Sequence, residues 1–204
     1  MSSRRVALTA AGLTLAATLT ACGGGSGTTG AAGSASAAPS TAAPATPAAD
    51  ARAADVMFAQ MMIPHHEQAV EMADLALAPA AGAGTDVTAL ATRIKAAQAP
   101  EIATMGGWLS AWGAEADDDM GGMHHGASMP GMMSDEDMSA LGDARGAAFD
   151  RMWLTMMVAH HEGALTMADD VLETTQDPQV RSLAEAVVSG QTAEIATMKS
   201  LLAG

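Results

Sequence analysis

The sequence has little cysteine, aromatic residue or positive charge. Among 204 residues there are one cysteine, two phenylalanines, three tryptophans and no tyrosine. A single cysteine excludes an intramolecular disulfide and a metal site built from several thiolates. Lysine and arginine number 9 against 23 acidic residues, which gives a formal net charge of −14. Because an acidic chain repels nucleic acid and concentrates cations, we expect no nucleic-acid partner and consider metal handling.

What the sequence has in abundance is alanine, glycine and methionine. The apolar fraction is 49%, which is ample for a core, and 17 residues are methionine. Alanine-rich sequence with few β-branched residues favours helix. The length predicts a single domain after an N-terminal targeting segment, and the composition predicts that this domain is all-α.

The N-terminus reads as a lipoprotein signal peptide over residues 1–21. Arg4 and Arg5 precede a short apolar stretch over 6–20, and residues 19–22 read Leu-Thr-Ala-Cys. This ending resembles a bacterial lipobox, which implies cleavage before Cys22 and acylation of its sulfur. The protein would then be lipid-anchored at the extracytoplasmic face of the bacterial cell membrane. Ordinary signal-peptidase cleavage, which leaves Cys22 as a free thiol, is the alternative.

Residues 22–52 begin with this cysteine and continue with Gly, Ala, Ser, Thr and Pro, without charge until Asp50. Such a composition cannot bury a core, so we expect a flexible tether between the membrane and the domain. The domain itself is predicted to occupy residues 53–204.

A repeated pattern organises that domain. Residues 61–74 and 156–169 share the spacing Met-Met-x-x-His-His-Glu-x-Ala-x-x-Met-Ala-Asp. Residues 98–105 and 191–198 share a second pattern, Gln-x-x-Glu-Ile-Ala-Thr-Met. Two patterns that recur together indicate one helical hairpin used twice. Imidazole and thioether side chains suit copper better than magnesium or calcium.

These paired patterns resemble family 305 of the domains of unknown function, whose members carry a His-His-x-x-Ala signature and a downstream Gln-x-x-Glu-Ile-x-x-Met. The resemblance covers about residues 54–204. It implies a ferritin-like helical bundle in proteins that are mostly secreted or membrane-anchored. In some members it also implies copper binding.

Four helices are predicted, over residues 53–78, 86–112, 135–173 and 178–202. Pro64 is expected to kink the first. Thr85, Ser134 and Asp177 are the expected N-caps, with Pro178 at the first helical position of the last helix. Two short connections and one long one predict a four-helix bundle made of two repeated hairpins. The family resemblance implies that this bundle is ferritin-like.

The long connection, residues 113–134, is rich in methionine and histidine. We predict that it binds copper through a set of candidate ligands: Met120, Met123, His124, His125, Met129, Met132 and Met133. A solvated spacer is the alternative, although methionine is an apolar and oxidisable choice for one.

Within the helices, His65 and His160 are predicted to bind metal or to pair with Glu101 and Glu194. The full set of helical candidates is Met61, Met62, His65, His66, Glu101, Met105, Met156, Met157, His160, His161, Glu194 and Met198. His66 and His161 lie about 100° around their helices from these two and would face the partner helix or solvent. Methionine at helical spacing is also common core filler, so Met72, Met105, Met167 and Met198 have that alternative. Glu67 and Glu162 are expected to be exposed or to support the ligands.

Enzymatic chemistry is not expected. A di-iron site needs Glu-x-x-His on two helices, and no such pattern occurs. The sole cysteine, assigned to the anchor, leaves no nucleophile. The predicted function is copper sequestration, tolerance or delivery, with a homo-oligomer or a copper-handling protein as candidate partner. The alternative is a metal-free helical module in which His–Glu pairs stabilise the core and the protein acts through a protein partner.

Overall fold

The structure, a computed structural model, describes residues 47–114 and 129–204. Over these residues the chain forms five α-helices and one 3-10 turn, without β-strands. The elements are α1 (Pro47–Leu77), the turn Pro79–Ala81, α2 (Thr85–Trp112), α3 (Asp135–Asp143), α4 (Gly146–Thr174) and α5 (Pro178–Ala203). The predicted all-α fold is therefore confirmed.

The four long helices form two hairpins. Helix α1 packs along α2, α4 packs along α5, and the hairpins meet mainly through α1 and α4. This is the predicted bundle of two repeated hairpins. None of the described helices has the length and apolar character that a bilayer crossing requires.

The predicted third helix, 135–173, is wrong as one continuous element. It divides into α3 and α4 because Ala144 and Arg145 are extended and Gly146 has a φ of 55°. Glycine adopts this left-handed conformation without steric cost. The Arg145 guanidinium donates hydrogen bonds to the carbonyls of Gly142 and Ala144, which satisfies the exposed end of α3.

Two of the three predicted N-caps are confirmed. Ser134 and Asp137 form a capping box, and the Asp177 carboxylate accepts from the backbone N–H groups at the start of α5. Thr85 is not a cap, because it is already the first residue of α2. The N-cap is Gly84, whose N–H donates to the Asp150 carboxylate of α4 at 3.0 Å.

Helix α1 begins earlier than predicted, at Pro47, so residues 47–52 are helical and not part of a flexible tether. Ala51 is buried, and the Arg52 guanidinium lies 4.4 Å from the ring centroid of Trp112. The same guanidinium is 3.2 Å from the Asp177 carboxylate. These contacts explain why this turn belongs to the bundle. The helix is continuous through Pro64.

The apolar core has two parts with a polar layer between them. On α1, residues 58–63 belong to one apolar cluster and residues 69–76 to the other. Helix α4 runs the other way through the core: its residues 149–157 share a cluster with residues 69–76 of α1, and its residues 164–171 share a cluster with residues 58–63. The two histidine pairs, 65–66 and 160–161, occupy the interval between the clusters on both helices and are fully buried.

Candidate metal centre

Adjacent positions on a helix point about 100° apart, so the two histidines of each pair face different neighbours. Helix α1 lies between α2 and α4. His66 accordingly meets α2, and His65 meets α4. On α4, His161 meets α5 and His160 meets α1. Four histidines with exposures between 0 and 1% thus form one buried layer across the bundle.

Within each hairpin a histidine is hydrogen-bonded to a glutamate. His66 Nε2 lies 2.8 Å from Glu101 Oε2, and His161 Nε2 lies 2.8 Å from Glu194 Oε2. The glutamate side chains are 21% and 20% exposed, so both carboxylates are largely buried. The prediction that His65 and His160 pair with these glutamates is wrong. Their side chains are turned towards the interface between the hairpins, where the glutamates of α2 and α5 do not lie.

The other two histidines contact each other between the hairpins. The ring centroids of His65 and His160 are 3.7 Å apart, and the ring planes are tilted by 37°. Burial lowers the pKa of His65 to about 3, and repulsion from His66 and His161 acts in the same direction. Burial, followed by repulsion from His65, also lowers the pKa of His160 well below its ordinary value. Both rings are therefore neutral at physiological pH.

The hydrogen bonds fix which ring nitrogens carry protons. A carboxylate accepts, so His66 and His161 donate through Nε2. His65 Nε2 lies 3.1 Å from the carbonyl oxygen of Pro130 and must also donate. In neutral imidazole the other nitrogen, Nδ1, then carries the lone pair. Within the described residues, these three buried Nδ1 atoms and both ring nitrogens of His160 have no hydrogen-bond partner.

A segment from the end of the long connection covers the histidine layer. We call residues 129–133, Met-Pro-Gly-Met-Met, the strap. Besides the bond from His65 to Pro130, the Gln68 side chain makes two hydrogen bonds to the backbone of Met133, at 2.8 and 2.9 Å. The predicted loop and the predicted helical site are therefore in contact.

The candidate methionines occupy different depths. Met62 and Met157 are fully buried, and each lies one helical turn before a histidine that pairs with glutamate. Met105 and Met198 are also fully buried, one turn after Glu101 and Glu194, whereas Met61 and Met156 are only half-buried. The four methionines for which core filling was the alternative, Met72, Met105, Met167 and Met198, are all buried in the apolar clusters.

Only part of the predicted loop site can be placed. Met129, Met132 and Met133 belong to the strap and are half-buried. Met120, Met123, His124 and His125 lie outside the described residues, as does Cys22. Glu67 and Glu162 are exposed, and Glu162 pairs with Lys199 at 2.7 Å.

Gln98 and Gln191 are buried polar residues that were not among the predicted metal ligands. They are 2% and 5% exposed, one turn before Glu101 and Glu194. The side-chain amide nitrogen and oxygen of Gln98 and the side-chain amide oxygen of Gln191 have no hydrogen-bond partner among the described residues. Their recurrence at the start of each Gln-x-x-Glu-Ile pattern was the available signal, because a polar residue kept on an apolar helix face usually has a polar role.

Histidine, cysteine and carboxylate side chains do not by themselves make a multidentate site here. Across residues 47–114 and 129–204, no three or more of these side chains are grouped in a way that could hold a metal ion. A metal in the histidine layer would therefore need methionine sulfur to complete its ligands. Mixed imidazole and thioether ligation suits copper, above all Cu(I).

Comparison with known proteins supports the predicted family. The sequence profile of a domain of unknown function, DUF305, matches residues 55–202. A DUF305 protein of Streptomyces coelicolor, predicted to be secreted, is 34% identical and superposes with a TM-score of 0.66, covering 74% of this chain and 92% of that one.

CopM in its Cu(II)-bound form is 34% identical with a TM-score of 0.63, over 72% of this chain and 95% of that one. Its Cu(I)-bound form is 30% identical with a TM-score of 0.58. The chain is also 36% identical over 53 residues to protein L153 of Acanthamoeba polyphaga mimivirus, a match spanning 26% of this chain and 35% of L153.

Proposed function

The chain belongs to the DUF305 family, and on that premise we propose that it binds copper in the histidine layer of its bundle, outside the cytoplasm. We infer that the bound copper is sequestered, tolerated or delivered, and not used for catalysis. The acidic chain, with a net charge of −14, favours cation binding in general. The choice of copper depends on the ligands in the layer.

One observation carries the proposal. His66 and His161 each donate Nε2–H to a glutamate while a buried Nδ1 lone pair has no partner among the described residues. Metal-binding histidines commonly use one nitrogen as ligand and donate the other N–H to a carboxylate, which fixes the tautomer and raises the basicity of the ligand. Leaving such a lone pair buried without a partner costs free energy, so the arrangement favours a ligand at Nδ1.

The remaining ligands would be methionines. Met62 and Met157 lie one turn from these histidines, and Met105 and Met198 lie one turn from the glutamates. Thioethers favour Cu(I), and imidazole accepts both oxidation states. Similarity to CopM, which has Cu(I)-bound and Cu(II)-bound forms, supports copper as the ion.

The first experiment is a Cu(I) competition titration against a chromophoric chelator, preceded by metal analysis of protein purified without an affinity tag. The double variant His66→Ala/His161→Ala should weaken binding by at least about 100-fold, because it removes a ligand from each hairpin. The exposed pair Glu67→Gln/Glu162→Gln is the matched control and should leave the affinity unchanged. Equal affinities of wild type and histidine variant would exclude the histidine layer as the site.

The strap methionines, together with His124 and His125, which lie outside the described residues, are the candidate ligands of the second predicted site, in the long connection. His124→Ala/His125→Ala should weaken binding less than the change in the helices if the layer holds the tighter site. The reverse order would place the primary site in the long connection.

A metal-free module that acts through a protein partner is the second candidate function. It is favoured by the absence of a group of three His or carboxylate side chains in the described ranges. It is also favoured by the His–Glu pairs, which already connect α1 to α2 and α4 to α5 without metal. The two proposals differ in one measurement: copper bound only by the folded state must raise the melting temperature, whereas a metal-free module shows no change.

Lipid anchoring is a separate part of the proposal, supported by the N-terminal sequence that resembles a lipobox and by similarity to a protein predicted to be secreted. Cys22→Ser should release the protein from the membrane fraction while the melting temperature of the domain stays the same. Full retention in the membrane would contradict the anchor.

A further inference from the structure

The strap is held against α1 by three hydrogen bonds. His65 Nε2 donates to the Pro130 carbonyl, and Gln68 both donates to and accepts from the backbone of Met133. His65 and Gln68 are separated by less than one turn of α1, so the strap crosses directly over the point where the two hairpins meet.

On the other side the strap contacts the backbone of α4 through glycines. A Cβ atom on Gly163 would overlap the Pro130 carbonyl and lie 2.9 Å from the Gly131 Cα. Gly131 has a φ of 78°, and a Cβ there would lie 3.0 Å from the His160 carbonyl oxygen. The strap can rest on α4 only because neither position has a side chain.

Gln68 and Gly163 occupy the same place in the two repeats, two residues after the second histidine. The repeats share the histidines, the following glutamate and the surrounding methionines, yet differ at this position. In one hairpin the residue supplies an amide that holds the strap, and in the other it leaves the space through which the strap passes. One strap can cover a layer made of two equivalent halves only if the halves differ where the strap crosses them, and this position is where they differ.

We propose that the strap is a cover that controls how fast copper enters and leaves the histidine layer. The inference rests on the proposed function and adds its regulation. With the strap seated, His65 is 0% exposed and its Nε2 is occupied by Pro130. A copper ion reaching His65 from this face must first displace the Pro130 carbonyl, and the displaced strap carries three half-buried thioethers, those of Met129, Met132 and Met133.

A cover of this kind affects rates more than affinity. Opening precedes both entry and exit, so a weaker strap should speed both, and their ratio should change little. Gly163→Ala should unseat the strap sterically, and Gln68→Leu should remove two hydrogen bonds without adding bulk on α4. Each variant should accelerate transfer of Cu(I) to and from an excess of chromophoric chelator by about tenfold, the effect of losing one or two net hydrogen bonds.

The matched controls are Gly107→Ala on α2 and Gly190→Ala on α5. Both are glycines within long helices, and an added Cβ would meet nothing within 4 Å. They test whether alanine in a helix changes the rates by stabilising the bundle. Hydrogen exchange of the Met133 amide supplies a readout without metal: exchange should be faster in Gly163→Ala and Gln68→Leu and unchanged in the controls.

The outcomes separate the two proposals. If the wild-type chain binds no copper, the proposed function falls and this inference falls with it. If it binds copper but Gln68→Leu and Gly163→Ala transfer it at the wild-type rate, the cover is excluded and copper binding stands. If Gly107→Ala and Gly190→Ala accelerate copper transfer as much as the strap variants do, the cover is also excluded. Should Gly163→Ala fail to fold, Gln68→Leu alone decides, because Gln68 is only partly buried and its replacement places no added atom against α4.

Discussion

Hairpins α1–α2 and α4–α5 hold their His–Glu pairs in the same geometry and differ around them. Both pairs have a 2.8 Å hydrogen bond and a glutamate that is about one-fifth exposed. The residues that differ between the repeats include Gln68 and Gly163, which contact the strap. The buried polar residues therefore repeat because the core repeats, and the sequence diverges where a unique segment crosses the symmetric layer.

The ends of the bundle show a second difference. Asp55 and Asp150 are equivalent in the repeat, but only Asp150 supplies a cap to the neighbouring hairpin, at Gly84. In the other hairpin Asp177 caps α5 with its own side chain, and Asp55 instead lies 3.6 Å from Arg52. A helix that provides its own cap does not need one from the partner hairpin.

The largest expected effect concerns the core residues Phe58 and Trp153, which are also equivalent in the repeat. Both are buried, but Trp153 additionally donates a 2.8 Å hydrogen bond to the Met72 carbonyl across the hairpin interface. Trp153→Ala should lower the free energy of unfolding by about 3–5 kcal/mol, and by more than Phe58→Ala does. Trp153→Phe, which gives the second hairpin the residue of the first, should cost about 1–2 kcal/mol. Urea unfolding measures all three, and equal losses for the Phe and Ala variants would contradict the packing argument.

The second-largest effect is expected from acid, which should destabilise the contact between the hairpins. The folded pKa of His65 is about 3 against 6.5 in the unfolded chain, so between these values the unfolded state binds more protons. The contribution of neutral His65 to the free energy of unfolding is therefore complete above pH 6.5 and decreases as the pH falls towards 3. The loss is about 1.4 kcal/mol per pH unit for this histidine, with His160 contributing in the same direction.

The measurement is urea unfolding at pH 7 and at pH 4.5. Protonation linked to His65 alone should lower the free energy of unfolding by about 3 kcal/mol between these two pH values. His65→Gln removes this titration and should show a smaller loss over the same interval. A loss as large as that of the wild type would mean that His65 is not held neutral by burial.

The two His–Glu pairs should respond equally to a milder change. Glu101→Gln and Glu194→Gln keep a hydrogen-bond acceptor but remove the charge, so each should cost about 1 kcal/mol of stability. Under the proposed function each should also weaken copper binding by about 10–100-fold. Competition titration of the two single variants and the double variant tests this. Independent additive effects indicate one metal per hairpin, non-additive effects indicate one shared metal, and an effect in only one hairpin would break the equivalence.

The smallest effect is expected at the surface. Lys95 pairs with Asp74 in the first hairpin, and Lys199 pairs with Glu162 in the second, between side chains that are roughly half exposed. Lys95→Met and Lys199→Met should each change the free energy of unfolding by less than about 1 kcal/mol, because exposed ion pairs gain little over solvated charges. Thermal melts in low and high salt measure this, and a larger loss in either hairpin would indicate a coupled network.

The sequence by itself determined the class of fold, the two-hairpin organisation and which polar residues the core contains. The matched Met-Met-x-x-His-His-Glu and Gln-x-x-Glu-Ile patterns located all four buried histidines, both glutamates and the methionines around them. Helix ends with strong local signals, such as Ser134 and Asp177, were also predictable, since capping depends on a few neighbouring residues.

Only the tertiary structure decided which histidine meets which partner. Adjacent residues on a helix point about 100° apart, so the choice between His65 and His66 depends on which neighbouring helix lies on which side. That arrangement is set by packing of distant residues and leaves no local signal. The same holds for Gly84, capped by Asp150 from another helix, and for the strap, whose place over the layer depends on Gln68 and Gly163 in different hairpins.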